Sequence, residues 1–197
     1  MYLFFDTETT GLPANYNAPH TDVDNWPRMV QLAWSLYNEE EKLIFESNHI
    51  VKPQGYTIPA NSSKIHGITT EYALKNGVEL KSSLKNFSEA VDKAQIIIAH
   101  NVAFDEKIIG AELTRENMSC ALFDTPRFCT MKTTKEFCQL PGYHGYKWPK
   151  LSELYEILFN EDFEDAHNAA ADVEACVKCF FELKRRGIVD VAIGPCD

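Results

Sequence analysis

The sequence predicts a layered α/β domain built on a mixed, five-stranded sheet flanked by helices. Three strand-like segments come first, at Tyr2–Phe5, Met29–Tyr37 and Lys42–Val51, which is typical of an antiparallel meander at one side of a sheet. Helical spacings and short apolar segments then alternate along the rest of the chain. A meander followed by alternating helices and strands is typical of helices packed on a mixed sheet.

A long polar segment separates the first two strands. It runs from Leu12 to Pro27, contains three prolines and three asparagines, and shows no periodicity. A loop of this length inside a compact domain is usually functional or mobile. We therefore predict a functional or mobile loop directly after the first strand.

The second half of the chain carries the predicted helices and the remaining strands. Thr69 is a candidate N-cap for a short helix, and Gln95–Ala99 reads as a buried strand of the parallel type. Leu122–Asp124 is a weaker strand, followed by a loop rich in basic and aromatic residues. Longer helices are expected at Val78–Ala94, Val102–Glu116 and Leu151–Phe159, and from Asn168 to the basic turn before Gly187.

Length and composition indicate one ordinary globular domain. We assign residues 1–187 of the 197 to this domain and residues 188–197 to a short C-terminal tail. No stretch approaches twenty apolar residues and no charged-then-apolar leader opens the sequence, so we expect a cytoplasmic protein without membrane contact. Six cysteines form no disulfide framework. Cys176 and Cys179 have C-x-x-C spacing within a helical segment and no second pair at zinc spacing, so we expect buried thiols.

The charge distribution favours a local contact with nucleic acid over a general one. The net charge of −10 (19 basic minus 29 acidic residues) argues against non-specific coating of nucleic acid. Between Arg127 and Lys150, however, five basic residues accompany a single acid, Glu136, and five aromatic residues lie among them. This combination suits the phosphates and stacked bases of a single strand. The alternative is that these aromatic residues are core or loop anchors.

Two carboxylates follow the first strand. Asp6 and Glu8 alternate with Thr7, so both side chains point to the same face of the strand, one pleat apart. Carboxylates held this close repel each other unless a cation lies between them, and hard oxygen ligands favour Mg²⁺ or Mn²⁺. Taken alone, the pattern is equally consistent with a strand that ends in a polar turn.

Two further acids occur in a repeated pattern, His-Asn-x-Ala-x-Asp, at residues 100–105 and 167–172. Asn101 and Asn168 are candidate N-caps, which places each aspartate near the start of a helix, where the dipole favours an ionised carboxylate. Four carboxylates that meet need divalent metals between them, and this donor set suits a two-metal phosphoryl-transfer site. His167 lies on a connecting segment and is a candidate for taking a proton from water near neutral pH.

Three segments carry a resemblance to a known family. Phe5–Gly11, His100–Asp105 and His167–Asp172 resemble the three exonuclease motifs of the DEDD superfamily, and the four residues between His167 and Asp172 are typical of its histidine branch. The resemblance covers about residues 2–186 and is greatest to the proofreading epsilon subunits of bacterial DNA polymerase III. Further matching segments are Pro27–Ala33, Ile65–Thr69 and Trp148–Leu151.

The resemblance implies a ribonuclease H-like fold, two Mg²⁺ or Mn²⁺ ions, and 3′–5′ hydrolysis that releases nucleoside 5′-monophosphates. It implies that Asp6 bridges both metals, that Glu8 and Asp172 complete the first site, and that Asp105 holds the second. His167 is then the general base for the attacking water. The residues implied around the terminal nucleotide, with Leu12 as a wedge between bases, are Thr9, Leu12, His66, Asn101 and Phe104.

Several alternatives stay open at the level of the sequence. Leu12 and Phe104 are also compatible with ordinary core positions, and His66, which precedes a glycine, is compatible with capping a turn. We expect the substrate to be the 3′ end of single-stranded or frayed DNA. RNA or a short oligonucleotide is the alternative, because no motif reports the surroundings of the 2′-hydroxyl.

The partners follow from the same resemblance. Epsilon-type relatives continue into a polymerase-binding tail, whereas this sequence ends about ten residues after its last predicted helix, so we expect no tethering to a polymerase by that route. Association with a polymerase by other contacts stays open. A catalytically silent module that binds nucleic acid or a polymerase is disfavoured, because all five catalytic positions are present.

Overall fold

The chain folds into a mixed five-stranded sheet flanked by helices, as the sequence predicts. The computed structural model describes residues 1–163 and 167–190. The strands are β1 (Tyr2–Thr9), β2 (Met29–Tyr37), β3 (Leu43–Ile50), β4 (Ile96–Ala99) and β5 (Arg127–Cys129), with a small hairpin of β6 (Pro141–Gly142) and β7 (Gly145–Tyr146). The helices are α1 (Ala60–His66), α2 (Thr70–Asn76), α3 (Leu80–Val91), α4 (Val102–Arg115), α5 (Thr130–Thr133), α6 (Lys135–Cys138), α7 (Leu151–Phe159) and α8 (Ala169–Arg185).

The large sheet has the strand order β3-β2-β1-β4-β5. The first three strands are antiparallel, and β4 and β5 add to β1 in parallel. The predicted meander and mixed sheet are therefore confirmed. Because β1 is central, its carboxyl end lies between an antiparallel neighbour on one side and a parallel neighbour on the other, at the edge where α/β sites usually form.

Alternation along β1 divides its apolar residues between two cores. Leu3 and Phe5 pack into the cluster that includes residues of α3 and α4, whereas Tyr2 and Phe4 pack against α8. The same alternation continues past the apolar run. Thr7 therefore belongs to the α4 face, and the acidic residues at positions 6 and 8 belong to the α8 face.

Three predicted caps have different outcomes. Thr69 accepts a hydrogen bond from Tyr72 N at 3.1 Å, and Asn168 accepts one from Ala170 N at 3.1 Å, so both N-caps are confirmed. Asn101 occupies the predicted N-cap position of α4, with Asp105 in the first turn, but it makes no side-chain capping bond. Its backbone is left-handed (φ 78°), and its carbonyl oxygen accepts from Phe104 N at 2.8 Å instead.

The end of α8 is confirmed in detail. Gly187 has a φ of 65°, and its N–H donates to Lys184 O at 3.0 Å, while Ile188 N donates to Leu183 O at 2.9 Å. These two bonds form a Schellman motif, which needs a residue in the left-handed region and therefore favours glycine.

The prediction of a strand at Leu122–Asp124 is wrong. Residues Ala121–Phe123 form a 3₁₀ turn around the fully buried Leu122, and the fifth strand begins later, at Arg127. The weak strand pattern of this segment reflects one apolar residue that is buried in the core, and the segment does not pair with a neighbouring strand. The segment predicted as a basic–aromatic loop also contains β5, α5, α6 and the β6–β7 hairpin. Helix α1 was not predicted.

The loop Leu12–Pro27 is held against α4. Arg115 donates to the carbonyl oxygens of Val23 and Trp26, and Lys107 Nζ donates to Tyr16 O at 2.8 Å. Two reciprocal bonds between Asn15 and Asn25, at 2.7 and 2.9 Å, close the base of the loop.

Other sequence predictions concern burial and boundaries. Cys176 and Cys179 are buried thiols, as predicted. None of the helices in the described part of the chain is long and apolar enough to cross a membrane. The predicted tail lies outside the described residues from position 191 onward, so the division at residue 187 stays a prediction.

Candidate active site

Three carboxylates meet at the carboxyl end of β1. Ligand atoms of Asp6, Glu8 and Asp172 all lie within 4.8 Å of one another. Asp6 and Glu8 share the α8 face of β1, and Asp172 comes from the first turn of α8. The predicted juxtaposition of these three side chains is therefore observed.

The carboxyl groups of this cluster resist ionisation. Burial, followed by the charges of Asp105, Asp172 and Glu8, raises the pKa of Asp6 well above its usual range. Burial and then the charges of Asp172 and Asp105 raise the pKa of Glu8 to about 8. Burial also raises the pKa of Asp172 to about 6, against the opposing effect of the His167 N–H. Each added negative charge disfavours the next, which is the electrostatic situation that a bound cation relieves.

The fourth carboxylate, Asp105, approaches β1 from the other face. Its Oδ1 accepts from Thr7 Oγ1 at 2.7 Å and from Thr7 N at 3.1 Å, and the residue is 3% exposed. Burial raises the pKa of Asp105 to about 7, and the two bonds from Thr7 oppose the rise. Asp105 is thus close enough to influence Asp6 without belonging to the cluster of three. Thr7 was not singled out from the sequence, although its position between Asp6 and Glu8 was the available signal.

His167 is exposed and adjoins the cluster through its backbone. Its N–H donates to Asp172 Oδ2 at 3.2 Å, and its backbone is left-handed, with a φ of 72°. The residues predicted to form an acidic approach to His167 extend into positions 164–166, which lie outside the described residues. The imidazole is therefore tied to the carboxylate cluster by its main chain while its side chain faces solvent.

His100 is committed to structural hydrogen bonds, as the sequence predicts. Its Nε2 lies 3.0 Å from Pro149 O and its Nδ1 lies 2.9 Å from Thr130 Oγ1. A carbonyl oxygen only accepts, so Nε2 carries the hydrogen, and in the neutral ring Nδ1 accepts from the threonine hydroxyl. Burial lowers the pKa of His100 to about 4. Both nitrogens of this ring are therefore occupied near neutral pH.

Three residues expected around the terminal nucleotide lie where β1 ends. Thr9 donates from Oγ1 to Gly11 O at 2.6 Å, and Leu12 is 73% exposed, so a core role for Leu12 is excluded. His66 is 8% exposed and its Nδ1 accepts from Ile68 N at 3.2 Å, so it does close the turn after α1. Burial lowers the pKa of this ring, against an opposing effect of the Thr9 backbone.

His66 also keeps one buried polar atom unused. Its Nε2 makes no hydrogen bond of good geometry within the described residues. In a neutral ring whose Nδ1 accepts, Nε2 carries the hydrogen, and the nearby Thr9 backbone is its neighbouring acceptor. A buried donor whose bond is poorly aligned is only weakly satisfied and stays available to a ligand.

The remaining two pocket candidates lie at the start of α4. Phe104 is partly buried against the core, and its ring centroid lies 6.5 Å from that of Trp26. Phe104 therefore contributes to core packing, as one of the two sequence interpretations proposed. Asn101 is partly exposed in its left-handed conformation. Asn101 is the N-cap of α4, and Phe104 lies in its first turn, directly before Asp105.

The basic–aromatic segment divides into packed and exposed parts. Phe128 packs on Phe180 with a centroid distance of 5.4 Å, so the anchor interpretation holds for this residue. Tyr143 is 96% exposed and Trp148 is 56% exposed. Among the basic residues, Arg127 pairs with Glu106 at 2.8 Å and Lys147 pairs with Glu153. The exposed aromatic residues therefore cluster on and just after the β6–β7 hairpin.

The residues present fit divalent metal ions. Asp6, Glu8 and Asp172 supply oxygen donors only, and their mutual repulsion is the kind that a cation offsets. Histidine and thiolate donors, which softer metals prefer, do not belong to this cluster.

Comparison with known proteins assigns the family. The family model RNase T, described as an exonuclease, matches residues 3–180. The chain therefore belongs to this exonuclease family, and the recognition of 3′–5′ exonuclease motifs in the sequence is confirmed. Divalent metal ions are a general requirement of such exonucleases.

Individual relatives are larger proteins. The DNA polymerase III PolC-type of Streptococcus pneumoniae is 28% identical over an alignment 197 residues long, which covers 97% of this chain but 12% of that protein. E. coli exonuclease I in complex with a dT13 oligonucleotide has the same fold, with a TM-score of 0.74 and 21% identity over 94% of this chain and 41% of that one. The zinc-bound form of its complex with single-stranded DNA gives a TM-score of 0.71 and 24% identity over 94% and 40% of the two chains.

Proposed function

We propose that this chain uses Mg²⁺ or Mn²⁺ to remove nucleoside 5′-monophosphates from the 3′ end of single-stranded or frayed DNA. The observation that carries the proposal is the convergence of Asp6, Glu8 and Asp172 within 4.8 Å in a chain of the exonuclease family. A bound divalent ion supplies two things at such a site, a lower pKa for a coordinated water and stabilisation of charge on the phosphate.

The four carboxylates would divide the metal sites as the family motifs imply. Asp6, the most central of them, would contribute to both sites, and Glu8 and Asp172 would complete the first. Asp105 would serve the second, and the two hydrogen bonds from Thr7 hold one of its oxygens in a fixed position. Fixed ligand orientation of this kind is what outer contacts contribute to metal sites.

His167 would act as the general base. Its ring is exposed, and its N–H bond to Asp172 keeps the residue beside the carboxylate cluster. It would take the proton of the attacking water and release it to solvent after hydrolysis. His100 is unsuited to this role because its two ring nitrogens are bonded to Thr130 and Pro149.

The terminal nucleotide would bind where β1, α1 and α4 meet. Exposed Leu12 suits a wedge between bases, and the Nε2–H of His66, which makes no hydrogen bond of good geometry within the described residues, offers a donor for the nucleotide. Thr9, Asn101 and Phe104 would complete this pocket.

DNA is the preferred substrate in this proposal, with RNA or short oligonucleotides as the alternative. The similarity to a DNA polymerase III and to exonuclease I bound to single-stranded DNA supports DNA. The similarity to a DNA polymerase III also supports an association with a polymerase in the cytoplasm, where the buried thiols would stay reduced.

A matched digestion tests the proposal. DNA and RNA oligomers of one sequence, labelled at the 5′ end, are incubated with the protein in EDTA, Mg²⁺ or Mn²⁺, beside an Asp6→Asn control. We expect a ladder of shortened DNA that depends on metal and on Asp6. Full activity in EDTA or in Asp6→Asn would contradict the metal assignment, and faster digestion of RNA would transfer the proposal to the alternative substrate.

A further inference from the structure

Gln31 connects the chain segments that carry the clustered carboxylates. It is 2% exposed and lies opposite Glu8 in the β1–β2 register, so both side chains share one face of the sheet. Its Oε1 accepts from Ala169 N at 3.3 Å. Its Nε2 donates to Asn168 Oδ1 at 3.3 Å and to Asn48 Oδ1 at 2.8 Å. One buried amide therefore joins β2 to β3 and to the first turn of α8.

The first turn of α8 determines where two active-site groups lie. Asn168 caps the helix through Ala170 N, and its carbonyl oxygen accepts from Asp172 N at 2.9 Å. His167 precedes this cap and donates its N–H to the Asp172 carboxylate. Any displacement of Asn168 therefore moves both the carboxylate and the histidine.

Glutamine is suited to this position because it accepts and donates at the same time. The buried Ala169 N–H needs an acceptor, and the side-chain oxygens of Asn48 and Asn168, on the exposed side of the contact, accept from the Gln31 amide. An ionised glutamate would offer acceptors only, and a methionine of similar length would offer no donor and only a weak acceptor. The Gln31 amide is itself buried, and a buried polar group that has all its partners is held in one orientation.

We propose that Gln31 is a positioning residue for catalysis, an inference that rests on the proposed function. It holds the N-terminus of α8 against the end of β1. The distance from Asp172 and His167 to the carboxylates of β1 is thereby fixed by one side chain that contacts neither substrate nor metal.

The test uses Gln31→Met and two readouts. Binding of Mn²⁺ to the metal-free protein is measured by electron paramagnetic resonance, and kcat and KM are measured on a labelled single-stranded DNA. We expect Mn²⁺ binding about 10–100-fold weaker and kcat lower by a similar factor, as for other supporting contacts of metal ligands. The KM should stay within about threefold, because the nucleotide pocket is unchanged.

Asn48 provides an independent check on the same contact. Asn48→Ala removes only one partner of Gln31, so we expect a smaller loss in the same direction. Because Asn48 acts through Gln31, the double variant should be no worse than Gln31→Met alone. If Gln31→Met fails to fold, the same two measurements on Asn48→Ala test the proposal. Wild-type metal binding and turnover in Asn48→Ala would then overturn it.

Two controls separate positioning from stability. Ser35→Ala removes a buried hydroxyl on the same strand and face that makes no hydrogen bond within the described residues. Val177→Ala leaves a cavity beneath α8 away from the Gln31 contacts. Both should keep wild-type Mn²⁺ affinity and kcat, and an equal loss in Val177→Ala would overturn the proposal. A wild-type protein that binds Mn²⁺ but leaves DNA intact would contradict the proposed function, while the Mn²⁺ measurement would still test Gln31.

Discussion

The metal-free protein should lose stability as the pH rises toward 8, and Glu8 should account for a measurable part of the loss. Burial and the charges of Asp172 and Asp105 raise the pKa of Glu8 from 4.5 to about 8 in the folded chain. The folded state therefore binds this proton more tightly than the unfolded state does. Its contribution to stability is fully present below pH 4.5 and is lost as the pH rises through about 8.

The size of the effect follows from the two pKa values. The difference between about 8 and 4.5 is about 3.5 pH units, or about 5 kcal/mol at 1.4 kcal/mol per unit. Glu8 is partly exposed, so solvent screening reduces this value, and we expect about 2–3 kcal/mol between pH 5 and pH 8. His100 acts in the opposite direction, because its lowered pKa makes stability rise as the pH increases from about 4 to 6.5.

The comparison of wild type with Glu8→Gln removes the contribution of His100. In urea unfolding in EDTA at pH 5, 6, 7 and 8, the unfolding free energy of the variant relative to that of wild type should rise by about 2–3 kcal/mol across the series. Glu40→Gln, in the exposed β2–β3 turn, should show no such trend. Millimolar Mg²⁺ or Mn²⁺ should restore the stability of the wild-type protein at pH 8 and should stabilise the variant less. A difference between Glu8→Gln and wild type that is independent of pH would refute the electrostatic reasoning.

Three further predictions concern the two histidines, the end at which digestion starts, and the lysines of the basic segment. His167→Ala should fold and bind metal and DNA normally, with kcat lower by about 10²–10⁴ and without the low-pH limb of the rate profile. His100→Ala should instead lose about 2–4 kcal/mol of unfolding free energy, because the buried Thr130 hydroxyl and Pro149 carbonyl oxygen lose their hydrogen bonds to the ring. Its folded fraction should keep most of its turnover, and the reverse result would assign the base to His100. A 3′-phosphate should block digestion of labelled oligomers while a 5′-phosphate should not, and a circular single strand cut as fast as a linear one would indicate an endonuclease. Alanine at Lys147 and Lys150 should raise the KM for long oligomers and reduce the salt dependence of KM by about one unit of slope per lost phosphate contact. Lys150→Ala is the cleaner single variant, because Lys147 pairs with Glu153. Equal effects on dinucleotides and long oligomers would argue for a purely structural role of these lysines.

The features that the sequence predicted correctly depend on contacts between near neighbours along the chain. The boundaries of α7 at Leu151 and Phe159, the Asn168 cap and the Gly187 stop were all predicted from the spacing of a few adjacent residues. Caps and helix ends are determined by bonds within one turn, so the local pattern is sufficient. The same holds for the shared face of Asp6 and Glu8 on β1.

The predictions that failed depend on contacts with distant segments. The sequence around Leu122 has the pattern of a short strand, but this segment forms a 3₁₀ turn that buries Leu122 in the core. The strand that pairs with β4 begins after Pro126. Asn101 occupies the predicted N-cap position, and only the expected side-chain bond is missing, because its left-handed backbone lets its carbonyl oxygen accept from Phe104 N instead.

The sequence by itself supplied the chemistry of the site: four carboxylates, a candidate base and their order along the chain. Only the tertiary structure decided how they meet. Asp105 reaches Thr7 from the α4 face of β1, whereas Asp172 joins Asp6 and Glu8 on the α8 face. These contacts join residues about one hundred or more positions apart, and local periodicity carries no information about hydrogen bonds over that separation. The physical reason is that β1 presents alternate side chains to two helices, and the packing of those helices determines which acids meet.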